Sequence, residues 1–339
     1  MTELEMVLKD TKIENNFLIK ETKKGKIIYK YTGADSIVHI PEGIIGIGFK
    51  AFEDIKQIKE VFLPKSLKYI DAYAFTCCSS LEQVHFNEGL EKIETCAFSY
   101  TGLLKAILPD TVSSLGQGTF LDSSLEEVVI SKKLKRIPLF CFAEDSNLSK
   151  VTIPQGVEAI GPAAFQGCFK LKNITLPQTL TSLGNLAEDE AFDGCVFDEC
   201  VSLEKITIPS GVKNLPGNTF RKCSSLKEID FKMQHLEYID FECFVGCTSL
   251  EEIRIPSCDR IEPDIFFCPN EGMFKTVLED FSDNYSTRIF CDEKTLEKSP
   301  EFVRHNRKNI NPFTSIDDLI TKSKSLKDIN DMILSKEDR

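Results

Sequence analysis

The stretch Leu148–Cys168, LSKVTIPQGVEAIGPAAFQGC, is written again and again, with substitutions, along most of this 339-residue chain. Its phenylalanine marks the period. The marks are Phe52, Phe75, Phe98, Phe120, Phe142 and Phe165, then, after one interruption, Phe197, Phe220 and Phe244. Away from the interruption they stand 22 to 24 residues apart. Self-similarity at this period predicts a solenoid, in which no coil is stable alone and each buries the apolar edge of the next.

Each copy has two halves. The first reads Ile58-x-x-Val61-x-Leu63-Pro64, Leu103-x-x-Ala106-x-Leu108-Pro109 or Leu203-x-x-Ile206-x-Ile208-Pro209. Alternating apolar positions predict a short strand, and a proline, which has no N–H to donate, ends it. The second half, as in Val157-x-x-Ile160-Gly161-x-x-Ala164-Phe165, leaves too few residues for a long helix and predicts extended or irregular chain. Gly46, Gly48, Gly116, Gly161 and Gly184 are expected at tight bends. Cys78, Cys168, Cys200, Cys223 and Cys247 all fall three residues after the repeat phenylalanine, where a small, weakly polar side chain suits a corner between coils.

The Leu-x-x-Ile-x-Leu-Pro half, the Ile-Gly-x-x-Ala-Phe half and the trailing cysteine resemble the BspA-type leucine-rich repeats, and Ile37–Ile44 resembles that family's first coil. The resemblance covers about residues 35–268. It implies a leucine-rich-repeat right-handed solenoid of the β-rich α/β horseshoe class. A parallel sheet would line one face, with short extended segments on the other. It also implies protein binding, adhesion and host or matrix contact, mostly at bacterial surfaces. The expected division is an N-terminal cap over 1–34, about ten coils over 35–268, and a partly helical C-terminal cap or tail over 269–339.

Composition narrows the function. The 53 acidic against 41 basic residues give a net charge of −12, which repels a phosphate backbone and argues against nucleic acid. No apolar stretch approaches the roughly 20 residues of a membrane span, so no membrane insertion is expected. MTELEMVLKD at the start does not read as a secretory signal. With an odd cysteine count, 13, this favours reduced thiols and a cytoplasmic location, the cell surface being the alternative from the resemblance.

The pattern breaks twice. Leu171 to Leu203 is longer than its neighbours and doubles the corner, as Ala191-Phe192-x-x-Cys195 and Val196-Phe197-x-x-Cys200. The insertion, near 185–196, together with Asp198 and Glu199, reads as an acidic solvated bulge. It lacks the glycine-punctuated spacing of a calcium loop. After Ile255-Pro256 the coil degrades, with Ile261 and Ile265-Phe266 as its last echo. Beyond it, 276–281 and 317–334 have helical apolar spacing. At the other end, Phe17–Ile19 and Lys26–Tyr29 predict a hairpin.

No catalytic or metal-binding motif appears. Neither a cofactor nor enzymatic activity is expected, an enzyme being only a remote alternative. Strand alternation instead sends one residue per coil outward. In order these are His39, Phe62, His85, Ile107, Val129 and Thr152, then Thr175, Thr207, Asp230 and Arg254. The first six form the candidate partner-binding row, because an exposed apolar and aromatic stripe marks contact surfaces. The stripe two residues earlier, with Glu60, Gln83, Lys105, Glu127 and Lys150, would be its polar rim. The expected function is a non-enzymatic scaffold that binds a protein or peptide on the concave sheet. The alternative is a surface adhesin or host- or matrix-binding protein.

Overall fold

A computed structural model describes residues 11–185, 194–266, 287–306 and 310–312. The repeat forms a solenoid of about ten turns held by three sets of backbone bonds. The front ladder runs through parallel strands Ile37–His39, Glu60–Phe62 and Gln83–His85, then Lys105–Ile107, Glu127–Val129 and Lys150–Thr152. Past the insertion it resumes at Lys205–Ile208 and Glu228–Phe231, joined to the earlier coil by a bridge from Asn173 to Lys205. Each proline then begins a turn: Leu67 N–H donates to Pro64 O (3.1 Å) and Val212 N–H to Pro209 O (3.1 Å). Asn87, in a proline position, bonds the preceding turn by its side-chain amide, 3.0 Å from Leu67 O.

The second half of each coil contributes two-residue strands such as Tyr69–Ile70, Lys92–Ile93 and Ala159–Ile160 to a second parallel ladder. The third set lies at the corner. Phe52 N–H donates to Ala74 O, Phe75 to Ala97 O, and so on to Phe244 and Ile265 O, at 2.7 to 3.0 Å throughout. All nine repeat phenylalanines are fully buried. Their rings stack coil upon coil, from 4.6 Å between Phe52 and Phe75 to 6.0 Å between Phe220 and Phe244. Such pairs add about 0.5–1.5 kcal/mol each beyond their burial. Tyr31 extends the stack at one end (5.1 Å from Phe52) and Phe266 at the other (5.4 Å from Phe244).

The stack also passes the insertion, because Phe165 and Phe197 lie 5.7 Å apart despite the longer chain between them. Gly194 N–H donates to Gly184 O (2.8 Å), which joins the two flanks of the insertion, and Phe197 holds the corner. Residues 186–193 lie outside the described residues. Asp198 corrects the expectation of a solvated acidic bulge: it is fully buried, with a carboxylate oxygen 2.8 Å from an Arg221 guanidinium nitrogen. It stands one residue after the corner phenylalanine, a phase the stacking turns inward.

The glycines also differ from expectation. Among those expected at bends, only Gly184 has positive φ. Gly48 and Gly116 are instead required by close approach: a Cβ would come 2.9 Å from Ile28 O and 2.1 Å from Thr95 N. The left-handed positions lie two residues before and two after each phenylalanine. They include Lys50, Tyr73, Cys96 and Ala163 on one side, and Asp54, Cys77, Glu144 and Lys222 on the other, with φ of 50° to 63°.

At the N-terminal end Phe17–Thr22 and Gly25–Tyr31 form the expected hairpin, with Thr11–Glu14 added at its edge. Its last strand pairs in parallel with Ile44–Ile47 and so starts the second ladder. At the C-terminal end the front ladder gains Arg288–Cys291 and Ile310–Pro312 beside Glu252–Arg254. Two short helices, Glu293–Lys298 and Pro300–Asn306, cover the end of the second ladder. There the hydroxyls of Thr295 and Ser299 accept from Cys258 N–H (2.8 Å) and Ile261 N–H (3.0 Å), edge donors that would otherwise be buried unpaired. The helical spacings at 276–281 and 317–334 lie outside the described residues.

Candidate functional site

Strand alternation places the six candidate residues on one face of the front ladder. Val38, Val61, Val84, Ala106 and Val128 point into the core, and the residue after each points out. Parallel register aligns His39 with Phe62, Phe62 with His85, Ile107 with Val129 and Val129 with Thr152. The first three form a ring sandwich. Phe62 lies between the two imidazoles, 4.5 Å from His39 and 4.0 Å from His85, with planes within 8° of parallel. His39 and His85 are therefore two coils apart yet joined through one ring. His85 Nε2 is also 2.7 Å from Glu60 Oε1, which ties the row to the rim stripe.

Ile107 is 49% exposed on the outer face of the ladder. Val129 and Thr152 continue the row, Val129 half-buried and Thr152 exposed. Along the rim Lys105 pairs with Glu127 at 3.0 Å and holds its carboxyl below the usual range. Further along, Arg254 stacks its guanidinium on Phe290, 4.7 Å from the ring centre. The outward row thus changes from apolar and aromatic to polar and charged along its length.

The front ladder parts between Gln83–His85 and Lys105–Ile107, which belong to separate sheets. The opening is a groove of about 850 Å³ lined by His85, Phe86, Leu104, Ile107, Leu108 and Val129, with Glu82 and Glu88 at its two ends. It brings together three of the six candidates, His85, Ile107 and Val129. Sequence reading did not single out Phe86, Leu104, Glu82 or Glu88. The available signal was Leu104, a 40% exposed leucine at a phase where neighbouring copies carry Glu82 and Glu126.

The corner cysteines are free thiols, not cross-links. Cys78, Cys168, Cys200, Cys223 and Cys247 each donate S–H to a phenylalanine carbonyl one coil back, at 3.0 to 3.2 Å. Burial raises all five thiol pKa values, that of Cys78 to about 12, which keeps the donor proton in place. Among the described residues no group of three or more His, Cys, Asp or Glu could hold a metal ion. No helix among them is long and apolar enough to cross a membrane.

The model of the BspA type leucine rich repeat region (6 copies) matches residues 25–148 and 135–271. The chain belongs to the BspA-type leucine-rich repeat family. Among solved structures, this family member is similar to a leucine rich cell surface protein from Faecalibacterium prausnitzii, at 20% identity over 91% of this chain and 96% of that one, TM-score 0.52. It is also similar to the leucine rich repeat protein of T. pallidum (22% identity, 70% and 90% covered, TM-score 0.36). A third is the pneumococcal vaccine antigen PcpA (21% identity, 86% and 80% covered, TM-score 0.47). No curated protein matches the chain. The first of these likenesses bears on fold alone. The BspA-type scaffold is of a kind typical of protein-interaction and surface proteins.

Proposed function

We propose that the protein is a non-enzymatic interaction scaffold that binds a protein or peptide on its front sheet. The observation that carries this reading is the outward row itself. The His39–Phe62–His85 sandwich and the half-exposed Ile107 lie in one apolar and aromatic row on the outer face of the front ladder, on the two sides of the groove, with the Lys105–Glu127 pair beside it. A strand that needs only to be soluble carries polar residues outward. An aromatic and aliphatic strip inside a charged rim has the anatomy of a contact surface. Rings already stacked on each other lose little freedom on binding, which favours affinity.

The test is capture of the binding protein from source cells by wild type and by a variant with Phe62, His85 and Ile107 all replaced by Ser. Circular dichroism and melting temperature should be unchanged. Loss of the captured protein supports the reading, and equal capture by the variant rejects it.

Family membership favours a second reading, display of this same strip at a cell surface as an adhesin. Protease shaving of intact source cells separates the two: release of the protein supports display, and full protection rejects it.

A further inference from the structure

The groove between the coils of His85 and Ile107 carries acidic side chains along its edges. Of the carboxylates that line it, Asp110 is neutralised by Lys132 at 2.6 Å. The lining Lys105 is in turn engaged by Glu127. Glu82 and Glu88 are both exposed and have no ion pair among the described residues. Both belong to the coil of His85 and mark the two ends of the groove along the strand, Glu82 just before Gln83–His85 and Glu88 in the turn after it. Between them lies the apolar floor of Phe86, Leu104, Ile107 and Val129.

The backbone opens at the same place. Leu104 N–H still reaches Glu82 O at 3.1 Å, and beyond that bond the two strands separate. The coils on either side remain in register, Glu60–Phe62 with Gln83–His85 and Lys105–Ile107 with Glu127–Val129. The separation is therefore local. It leaves the outer face of the His85 ring and the Ile107 side chain facing one gap.

We infer that this groove binds a peptide segment that inserts one large apolar side chain between His85 and Ile107 and places Lys or Arg on either side, against Glu82 and Glu88. The inference rests on reading the front face as an interaction surface and names the chemistry of the partner. Two uncompensated carboxylates beside an apolar floor favour a basic and apolar occupant by charge complementarity and repel phosphate or an acidic segment.

A phage-displayed library of random dodecamers selected on the folded chain, with counter-selection on Ile107→Ser, tests this. The selected peptides should carry Lys or Arg on both sides of a Leu, Ile, Met or Phe. They should bind Ile107→Ser at least about tenfold more weakly. The double variant Glu82→Gln/Glu88→Gln should bind them about fivefold more weakly, and Glu82→Lys/Glu88→Lys more weakly still, by an amount that shrinks as salt rises. A selection with no excess of basic residues, no enrichment over the counter-selected variant, or equal binding to the Gln pair would overturn the inference. If Glu82→Gln/Glu88→Gln keeps the captured cellular partner while His39→Ser/Phe62→Ser loses it, the groove assignment fails and the broader interaction surface stands.

Discussion

Cys223 Sγ lies 3.1 Å from the main-chain oxygen of Phe197, one coil back. The same bond recurs from Cys247 to Phe220 and from Cys200 to Phe165. The trailing cysteine of the repeat is thus an inter-coil hydrogen-bond donor inside the core, in addition to filling a small space. Cys223→Ala removes the donor and leaves a cavity, and should destabilise the chain by about 1–3 kcal/mol in urea unfolding. Because the thiols are buried and protonated, a thiol-reactive dye applied to the native protein should label the partly exposed Cys77, Cys96 and Cys195 well before the buried corner thiols. Fast labelling of Cys223 would contradict the bond.

The left-handed residues that flank each phenylalanine carry a conformational cost of about 1–2 kcal/mol wherever they are not glycine. Glu144 has φ 63°, and its carboxyl is raised by burial and by Glu199, Asp122 and Asp198 nearby. Glu144→Gly relieves both the backbone and the repulsion and should stabilise the chain by about 1 kcal/mol. Gly246→Ala, at φ 78° in the equivalent corner, should destabilise it by a similar amount, since the new Cβ would lie 3.1 Å from Lys222 Cα. Calorimetric melting of the two variants would show shifts of opposite sign.

Asp145 occupies a corner position that carries cysteine in other coils. It is fully buried, one carboxylate oxygen accepts from Ser123 N–H (2.9 Å) and Oγ (2.6 Å), and the other has no partner. Burial raises its pKa well above the carboxylate range. In the unfolded chain it ionises near 3.9, so the stability associated with its proton is whole below about that pH. That stability is lost progressively as pH rises toward the folded value. Asp145→Asn keeps the acceptor for Ser123 and removes the charge. Its stability relative to wild type should climb from pH 4 to pH 7 in denaturant titrations, and a difference independent of pH would refute this account.

Much of this could be read from the residues, for identifiable reasons. Phe52 to Phe244 announced the solenoid because a fixed period near 23 marks stacked repeats, and alternation in Glu60-Val61-Phe62 told inward from outward. The left-handed corners were hidden because only glycine advertises positive φ, and Tyr73 or Lys222 does not. Asp198 read as solvated because charge alone does not reveal which phase of a turn faces inward. The six outward residues followed from register. The ring contact of Phe62 with both imidazoles, and the parting of the ladder beside Ile107, depend on packing between coils that no single repeat encodes.

The front ladder, and not the second one, is proposed as the contact surface. Hydrogen–deuterium exchange of the protein alone and with its captured partner tests it most directly. New protection is expected at Glu60–Phe62, Gln83–His85, Lys105–Ile107 and the turns beside them, with no change at Tyr69–Ile70, Lys92–Ile93 and Ser114–Leu115. Protection confined to those second-ladder strands would contradict it.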